Sequence, residues 1–358
     1  MILKALIFSN SFALIIALLL IFMDRVINNY GPCTLTINND KEVQARGGTT
    51  LLRNLFESKY FIPSACGGKG TCGYCKLIVT EGGGSILPTE ELMLSSAEKK
   101  QGYRLTCQLK VKNNLKLHIP EEYLNIQEYE GKIVISDPVT SDIRRVGIAL
   151  STEDEITYKP GQYVQIKIPG SGESDYRAYS MSSCPDEKKQ IEINVKLIPD
   201  GVGSGYIHSL SVGDELDFSG PYGDFYLRED SHRDIICVAG GVGLAPIKSI
   251  LLHWQRHNLN RTLWLFYGAR STEDLYDHEI FAELDEREAG LKYFPALSEP
   301  DEDWTGKSGF IHSVMDKALP GDVNGEAYLC GPPIMIDAVT EVLVSKGVSD
   351  ERIWYDKF

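Results

Sequence analysis

The sequence predicts a multidomain chain: an N-terminal transmembrane helix, a small α+β domain, an antiparallel β-barrel and an α/β doubly wound domain. Three observations lead there. An apolar stretch opens the chain, short alternating segments separated by turn residues fill its middle, and apolar strands alternate with helical periodicities over its last third. The 358 residues allow two to four domains, and 43% apolar with 24% charged residues is a globular composition. A formal net charge of −14 argues against a nucleic-acid partner, because phosphate binding needs a basic face.

The first element is Ile2–Met23, which as a helix would span roughly 33 Å, about one bilayer core. Ser9, Asn10 and Ser11 weaken it, and Lys4 lies near its start. A cleaved signal peptide is the alternative, but Met23-Asp24-Arg25-Val26 is a poor cleavage site. Lys41 and Arg46 lean toward a cytoplasmic C-terminal side. The expected domain limits are 1–25 for the anchor, 30–125 for the α+β domain, 128–229 for the barrel and 230–358 for the doubly wound domain.

Behind the anchor, Tyr30-Gly31-Pro32 breaks the helix. Thr34–Asn38 and Glu42–Ala45 read as a hairpin, and Thr49 as the cap of a helix over Thr50–Ser58. Strands follow at Cys75–Thr80, Tyr103–Leu109 and Leu115–Ile119. From Gly131 to Arg228 the segments KIVIS, RVGIAL, YVQIKI, IEINVKL and DELDFSG read as barrel strands. Then DIICVA, TLWLFYGA, LKYFPAL, EAYLC and RIWYD alternate with helical stretches Pro246–His257, Leu275–Leu284, Ile311–Ala318 and Ile334–Lys346, as in a parallel doubly wound sheet.

Eight cysteines occur, and Cys66, Cys72, Cys75 and Cys107 form a C-x5-C-x2-C pattern with a distant fourth member. That reads as thiolate ligation in a reducing compartment rather than a disulfide framework. Four thiolates suit a 2Fe–2S cluster, with glycines letting backbone N–H groups approach the sulfurs. A four-cysteine zinc site is the competing reading, but zinc favours two separate C-x2-C knuckles. Cys33, Cys184 and Cys237 read as core or near-surface thiols.

Two further motifs carry chemistry. Arg177-Ala178-Tyr179-Ser180 combines a guanidinium suited to a phosphate, a flat ring and a hydroxyl, and Gly203-Ser204-Gly205 follows at a helix start. Ala239–Pro246 is a glycine loop between strand and helix that can admit a dinucleotide pyrophosphate on Gly240, Gly241 and Gly243. Its companion is Cys330-Gly331-Pro332-Pro333, again between strand and helix. Arg270, Glu273 and Asp274 follow the second strand, where an adenine ribose belongs; the two acids favour NADH and Arg270 leaves NADPH open.

Together these motifs carry a resemblance. ACGGxGxCGxC from Ala65, the Gly82–Glu90 stretch, Leu297-Ser298-Glu299-Pro300, the Trp304–His312 stretch and the ending Ile353–Phe358 resemble the F subunit of the sodium-pumping NADH:quinone oxidoreductases. RAYS, GGVGLAP and CGPP resemble the wider ferredoxin–NADP reductase superfamily. The resemblance implies a β-grasp ferredoxin domain with a 2Fe–2S cluster on the four cysteines, an FAD-binding barrel and an NAD-binding domain. It implies that Arg177, Tyr179, Ser180, Gly203 and Ser204 hold the flavin, FAD being favoured over FMN because a second phosphate turn is present. It places Cys330, with Gly331 and Pro332, beside the nicotinamide and the flavin N5, Ser180 near N5, and the terminal Phe358 over the flavin face. One departure stands out: the family carries an extra segment between PGQY and RAYS, whereas Tyr163 and Arg177 are fourteen positions apart here.

The expected activity is that of an NADH dehydrogenase in the cytoplasmic membrane, single-pass, with soluble domains on the cytoplasmic side, taking a hydride onto FAD and passing single electrons to the 2Fe–2S cluster and on to integral membrane redox subunits. Two alternatives stand beside it. One is the reductase component of an oxygenase; the other is a non-catalytic electron-relay or redox-sensing membrane protein.

Overall fold

The computed structural model describes residues 2–27, 30–150, 155–170 and 176–357. The chain divides into two compact units, Met1–Ile126 with Gly170–Tyr176, and Gln127–Pro169 with Arg177–Phe358.

The first unit begins with helix α1 (Ile2–Ile27). Among the described residues no helix is long and apolar enough to cross a membrane. The side chains at positions 10–20 of α1 are all exposed, Phe12, Leu14, Ile15, Leu18 and Leu19 among them. Strands β1 (Pro32–Ile37) and β2 (Lys41–Arg46) form the expected hairpin, with Cys33, Leu35 and Ile37 of β1 alternating into the core. Helix α2 (Leu51–Glu57) is capped by Thr50, not Thr49: Thr50 Oγ1 accepts from the Arg53 N–H, whereas Thr49 Oγ1 donates to the Arg46 carbonyl. Strand β3 (Lys76–Glu81), the short helices α3 (Pro88–Glu91) and α4 (Ser96–Gln101), strand β4 (Tyr103–Leu105), strand β5 (Leu115–His118) and helix α5 (Glu121–Leu124) complete it. The five strands lie in the order β2-β1-β5-β3-β4, with β1 and β5 parallel, around one apolar core against α2. Strand β4 is shorter than its apolar pattern predicts. The Thr106 N–H bonds the Cys75 carbonyl and the Gln108 N–H bonds the Leu105 carbonyl, so the chain turns at Cys107.

The second unit opens with a six-stranded antiparallel sheet of β6 (Gln127–Pro138), β7 (Ile143–Leu150), β8 (Tyr163–Lys167), β9 (Tyr176–Ser180), β10 (Gln190–Lys196) and β11 (Glu215–Tyr222), in the order β10-β7-β6-β11-β8-β9. An antiparallel bridge between Met181 and Ile193 joins the outer strands, closing a barrel filled by aliphatic residues such as Ile133, Ile148, Val164 and Ile193. Helix α6 (Val202–Ser209) follows β10.

The same unit continues as β12 (Asp234–Gly240), α7 (Leu244–Arg256), β13 (Leu263–Ala269), α8 (His278–Arg287), β14 (Leu291–Leu297), β15 (Lys307–Ser308), α9 (Ile311–Ala318), β16 (Gly325–Gly331), α10 (Pro333–Ser345) and β17 (Ile353–Lys357). All pairings are parallel, in the order β15-β14-β13-β12-β16-β17. Apolar clusters cover both faces, which is why β12 and β16 read as continuous apolar runs. Helix α8 begins three residues later than its periodicity predicts, because Asp277 takes a left-handed backbone, φ +60°, ahead of it.

Barrel and parallel sheet are pinned by four buried or half-buried charges distant in sequence. Lys248 Nζ lies 3.0 Å from both Glu192 Oε1 and Asp277 Oδ2. Arg145 pairs with Asp277 and lies 3.6 Å from Glu192. Two cations facing two carboxylates form a neutral set, the condition under which buried charge is tolerated.

Candidate functional site

Four glycines with left-handed backbones, Gly67, Gly68, Gly70 and Gly73, coil the loop after α2. At Gly70 a Cβ would stand 2.8 Å from the Gln108 side chain. The coiling gathers the four sequence-predicted thiols into two pairs. Cys72 Sγ lies 3.4 Å from Cys66 Sγ, and the buried thiols of Cys75 and Cys107 interact with each other. Backbone N–H groups of Thr71 and Cys72 reach Cys66, that of Tyr74 reaches Cys72, and that of Gly70 reaches Cys107. The Gln108 amide stands 3.5 Å from Cys107 Sγ. The hydrogen bond from Cys72 draws Cys66 down to about 4, and Cys75 draws Cys107 down, while Cys72 and Cys75 are pushed up. Two thiol pairs fringed by N–H donors fit a two-iron group, one pair to each iron. Cys75 and Cys107 are buried; Cys66 and Cys72 are partly exposed.

The Gly82–Glu90 stretch is held by a buried ion pair. Arg104, 4% exposed, donates Nη2 to Glu90 Oε2 at 2.6 Å, and Glu90 is fully buried. Glu90 also accepts from the N–H groups of Leu87 and Leu105, at 2.9 Å each. Arg104 donates to the carbonyls of Gly83, Gly84 and Ser85. The stretch stands out in the sequence but its partner does not, because fourteen residues separate the two charges and nothing local pairs them.

In the second unit, Arg177, Tyr179 and Ser180 lie on β9, and the start of α6 packs directly against Arg177 and Tyr179. A Cβ at Gly203 would stand 2.8 Å from Arg177 Cγ and 3.0 Å from Tyr179 Oη. A guanidinium and a helix N-terminus thus share one neighbourhood, which suits a phosphate group. Burial pushes the Tyr179 phenol up to about 12, so its ring is neutral. The Ser204 hydroxyl accepts from the Ile198 N–H at 3.0 Å and donates to the Gly201 carbonyl, holding the start of α6.

The glycine loop and the cysteine motif meet where the strand order reverses, between β12 and β16, with Ala239 in register with Cys330. The approach is so close that a Cβ at Gly243 would stand 2.2 Å from the Cys330 carbonyl oxygen. Cys330 is 2% exposed, and burial, with Asp356 second, pushes its thiol well up, so it is neutral. A cleft of about 500 Å³ opens beside this junction, lined by Gly240, Gly241, Gly268, Arg270, Asp274 and Pro332 among others. Asp274 Oδ2 accepts from Arg270 Nε at 3.2 Å and from Ser271 Oγ at 3.3 Å. Glu273 is exposed on the same turn. Phe358 lies outside the described residues, as do residues 171–175 of the shortened loop.

Three families match consecutive stretches. Residues 35–112 match the 2Fe-2S iron-sulfur cluster binding domain, 130–226 the oxidoreductase FAD-binding domain, and 237–341 the oxidoreductase NAD-binding domain. The F subunit of the Na(+)-translocating NADH-quinone reductase of Serratia proteamaculans is 33% identical, and that of Histophilus somni 35%, each alignment covering 96% of both chains. The chain belongs to this F-subunit family.

As a member of that family it is an NADH oxidoreductase built on FAD and a 2Fe–2S cluster. The alignment with the Serratia protein runs over 392 positions, more than the 358 residues here, so that relative carries residues this chain lacks. Among solved structures, a cytochrome P450 reductase of Amycolatopsis is similar at TM-score 0.73 and 30% identity, covering 91% of this chain and 98% of its own. The ferredoxin reductase in carbazole 1,9a-dioxygenase is similar at TM-score 0.70 and 28% identity, covering 92% of this chain and 98% of its own.

The Gly243 contact sets a test. Gly243→Ala forces the loop away from Cys330, an overpacking cost of about 1–3 kcal/mol. The expected result is a fall of roughly tenfold or more in kcat/KM for NADH, with flavin and iron content unchanged. Unaltered NADH kinetics would show that this loop does not carry the nucleotide.

Proposed function

We propose that the chain is a membrane-anchored NADH dehydrogenase of the cytoplasmic membrane, single-pass with its soluble domains on the cytoplasmic side, delivering electrons to other integral membrane redox subunits. The observation that carries this reading is the exposed apolar face of α1 on a chain with all three redox domains of its relatives. When bound, FAD supplies a hydride acceptor and the 2Fe–2S cluster a one-electron carrier. The protein's own part is positioning. Cys66 with Cys72, and Cys75 with Cys107, would hold the irons. Arg177 and the amides of Gly203 and Ser204 would hold the flavin phosphates, Tyr179 would offer its ring face, and Ser180 would donate a hydrogen bond near N5. Gly240, Gly241 and Gly243 would admit the pyrophosphate of NADH, and Cys330, Gly331 and Pro332 would border the nicotinamide. Phe358 would cover the flavin face until NADH displaces it.

Fractionation and rapid mixing test the proposal. The full chain should resist alkaline extraction from membranes. A chain lacking residues 1–25 should stay in the supernatant and still reduce ferricyanide with NADH. Flavin absorbance should bleach before that of the cluster. Release of the full chain by carbonate, or cluster reduction ahead of the flavin, would overturn it. The similarity to two oxygenase-type reductases favours a second reading, the reductase component of an oxygenase. Copurification of a soluble oxygenase rather than membrane subunits would select it.

Coenzyme choice follows from the Arg270–Asp274 pair. A 2′-phosphate would have to compete with Asp274 for the guanidinium, so NADH should be preferred by about tenfold or more in kcat/KM. Asp274→Asn should release Arg270 and move the ratio toward NADPH by roughly tenfold. A wild-type preference for NADPH refutes this assignment.

A further inference from the structure

We propose that Cys184, Asp186 and His253, with His257 hydrogen-bonded to Asp186 behind them, form a binding site for a zinc-class divalent cation, which ties the loop after β9 to the end of α7. No step of the electron path uses these residues. His253 and His257 are four apart at the C-terminal end of α7, on one face, with ring centroids 4.3 Å apart. From the loop, Cys184 Sγ donates to Asp186 Oδ2 at 3.2 Å, and that oxygen stands 3.0 Å from His257 Nε2. Ligand atoms of Cys184, Asp186 and His253 all lie within 4.8 Å of one another.

The decisive member is His253. It is 7% exposed, and neither ring nitrogen has a hydrogen-bond partner among the described residues. Glu229 Oε1 approaches Nε2 to 3.3 Å, but out of hydrogen-bond geometry and from a half-exposed side chain. A buried imidazole without a hydrogen bond gives up its hydration for nothing, and such groups call for an explanation. Here the imidazole faces a thiol, a carboxylate and a second imidazole. That is a soft and borderline donor set, which selects zinc and its neighbours over magnesium or calcium.

Bond lengths of about 2.0–2.3 Å in a tetrahedron put neighbouring donors about 3.3–3.8 Å apart. The Cys184–Asp186 pair stands at 3.2 Å, and the three ligand atoms, all within 4.8 Å of one another, reach that spacing by side-chain rotation. One thiolate and one carboxylate would neutralise a dication. Arg256, whose Nε stands 3.5 Å from Asp186, is 58% exposed and free to swing into solvent. The connected elements matter as well. Cys184 lies four residues after Ser180, and α7 begins at the glycine loop, so the ion would brace the flavin strand against the nucleotide helix.

The test uses the full-length protein with its flavin bound and its cluster fully loaded, so that zinc has no access to the four cluster cysteines. Zinc chloride is added, excess is removed by gel filtration, and metal is measured by mass spectrometry and zinc-edge X-ray absorption. About one zinc per chain is expected, with one sulfur at about 2.3 Å and nitrogen or oxygen at about 2.0–2.1 Å. Zinc should raise the Tm of the wild type. Cys184→Ser and His257→Gln should each weaken zinc binding by at least about tenfold and abolish that rise. Iron, flavin and NADH–ferricyanide activity should stay as in the wild type. Should one variant misfold, the other and the absorption spectrum still decide. No retained zinc, a first shell without sulfur, or equal retention in both variants overturns the proposal.

Discussion

The Cys72→Ser variant should lose about 90% or more of the visible 2Fe–2S absorbance and reduced-state EPR signal, because four thiolates are needed to hold two irons. Its flavin should stay bound, and NADH–ferricyanide activity should remain within about twofold of wild type, since the flavin residues lie in the other unit and ferricyanide accepts electrons from flavin directly. The structure sharpens the expectation. Cys72 is the hydrogen-bonding partner of Cys66, so its loss disrupts one whole pair rather than one of four equivalent ligands. Cys107→Ser should act alike through Cys75. Both variants should lose transfer to the physiological acceptor. A full cluster signal in Cys72→Ser would sink the ligand assignment. Failure of flavin reduction in correctly folded Cys107→Ser would sink the order of electron flow.

The second large effect is expected at Glu90. Glu90→Ala strips the buried Arg104 guanidinium of its carboxylate, and breaking such a pair costs about 3–5 kcal/mol. Against a typical total of about 5–15 kcal/mol, that threatens the first unit as a whole. The Gly82–Glu90 stretch should come loose, because Arg104 also holds three of its carbonyls. Urea unfolding followed by far-UV circular dichroism and by cluster absorbance measures the loss. The double variant Glu90→Gln with Arg104→Met should lose less than the sum of its single variants, since it leaves no unpaired buried charge. A change below about 1 kcal/mol in Glu90→Ala would show that the pair contributes little.

The motifs are legible because their chemistry is local. Three cysteines and four left-handed glycines within ten residues can wrap one object, and no partner elsewhere is needed to see it. GGVGLAP sits between a strand and a helix whose periodicity is plain, so its place at a strand end follows, whereas RAYS lies within β9 itself. Local expectations fail where hydrogen bonds from outside the segment decide. Thr50 rather than Thr49 caps α2, β4 stops before Cys107, and Asp277 delays α8. The internal hydrogen bonds of the Ser204 hydroxyl and the Asp274 carboxylate are likewise set by neighbouring groups that only coordinates reveal.

By itself the sequence determined the order of the folds, the spacing of the four clustered cysteines, and which strands run buried on both faces, because period, spacing and composition act within a few residues. Tertiary structure decided what lies opposite what. It grouped the four thiols as two pairs, set Gly243 against the Cys330 carbonyl, joined Glu90 to Arg104, and assembled Arg145, Glu192, Lys248 and Asp277 into one neutral set. It also brought Cys184 and Asp186 to His253 and His257 across some seventy residues of chain. The reason is physical. A charge or an imidazole can be buried only where its partner arrives, and that arrival is set by strand order and helix packing, which no local pattern encodes.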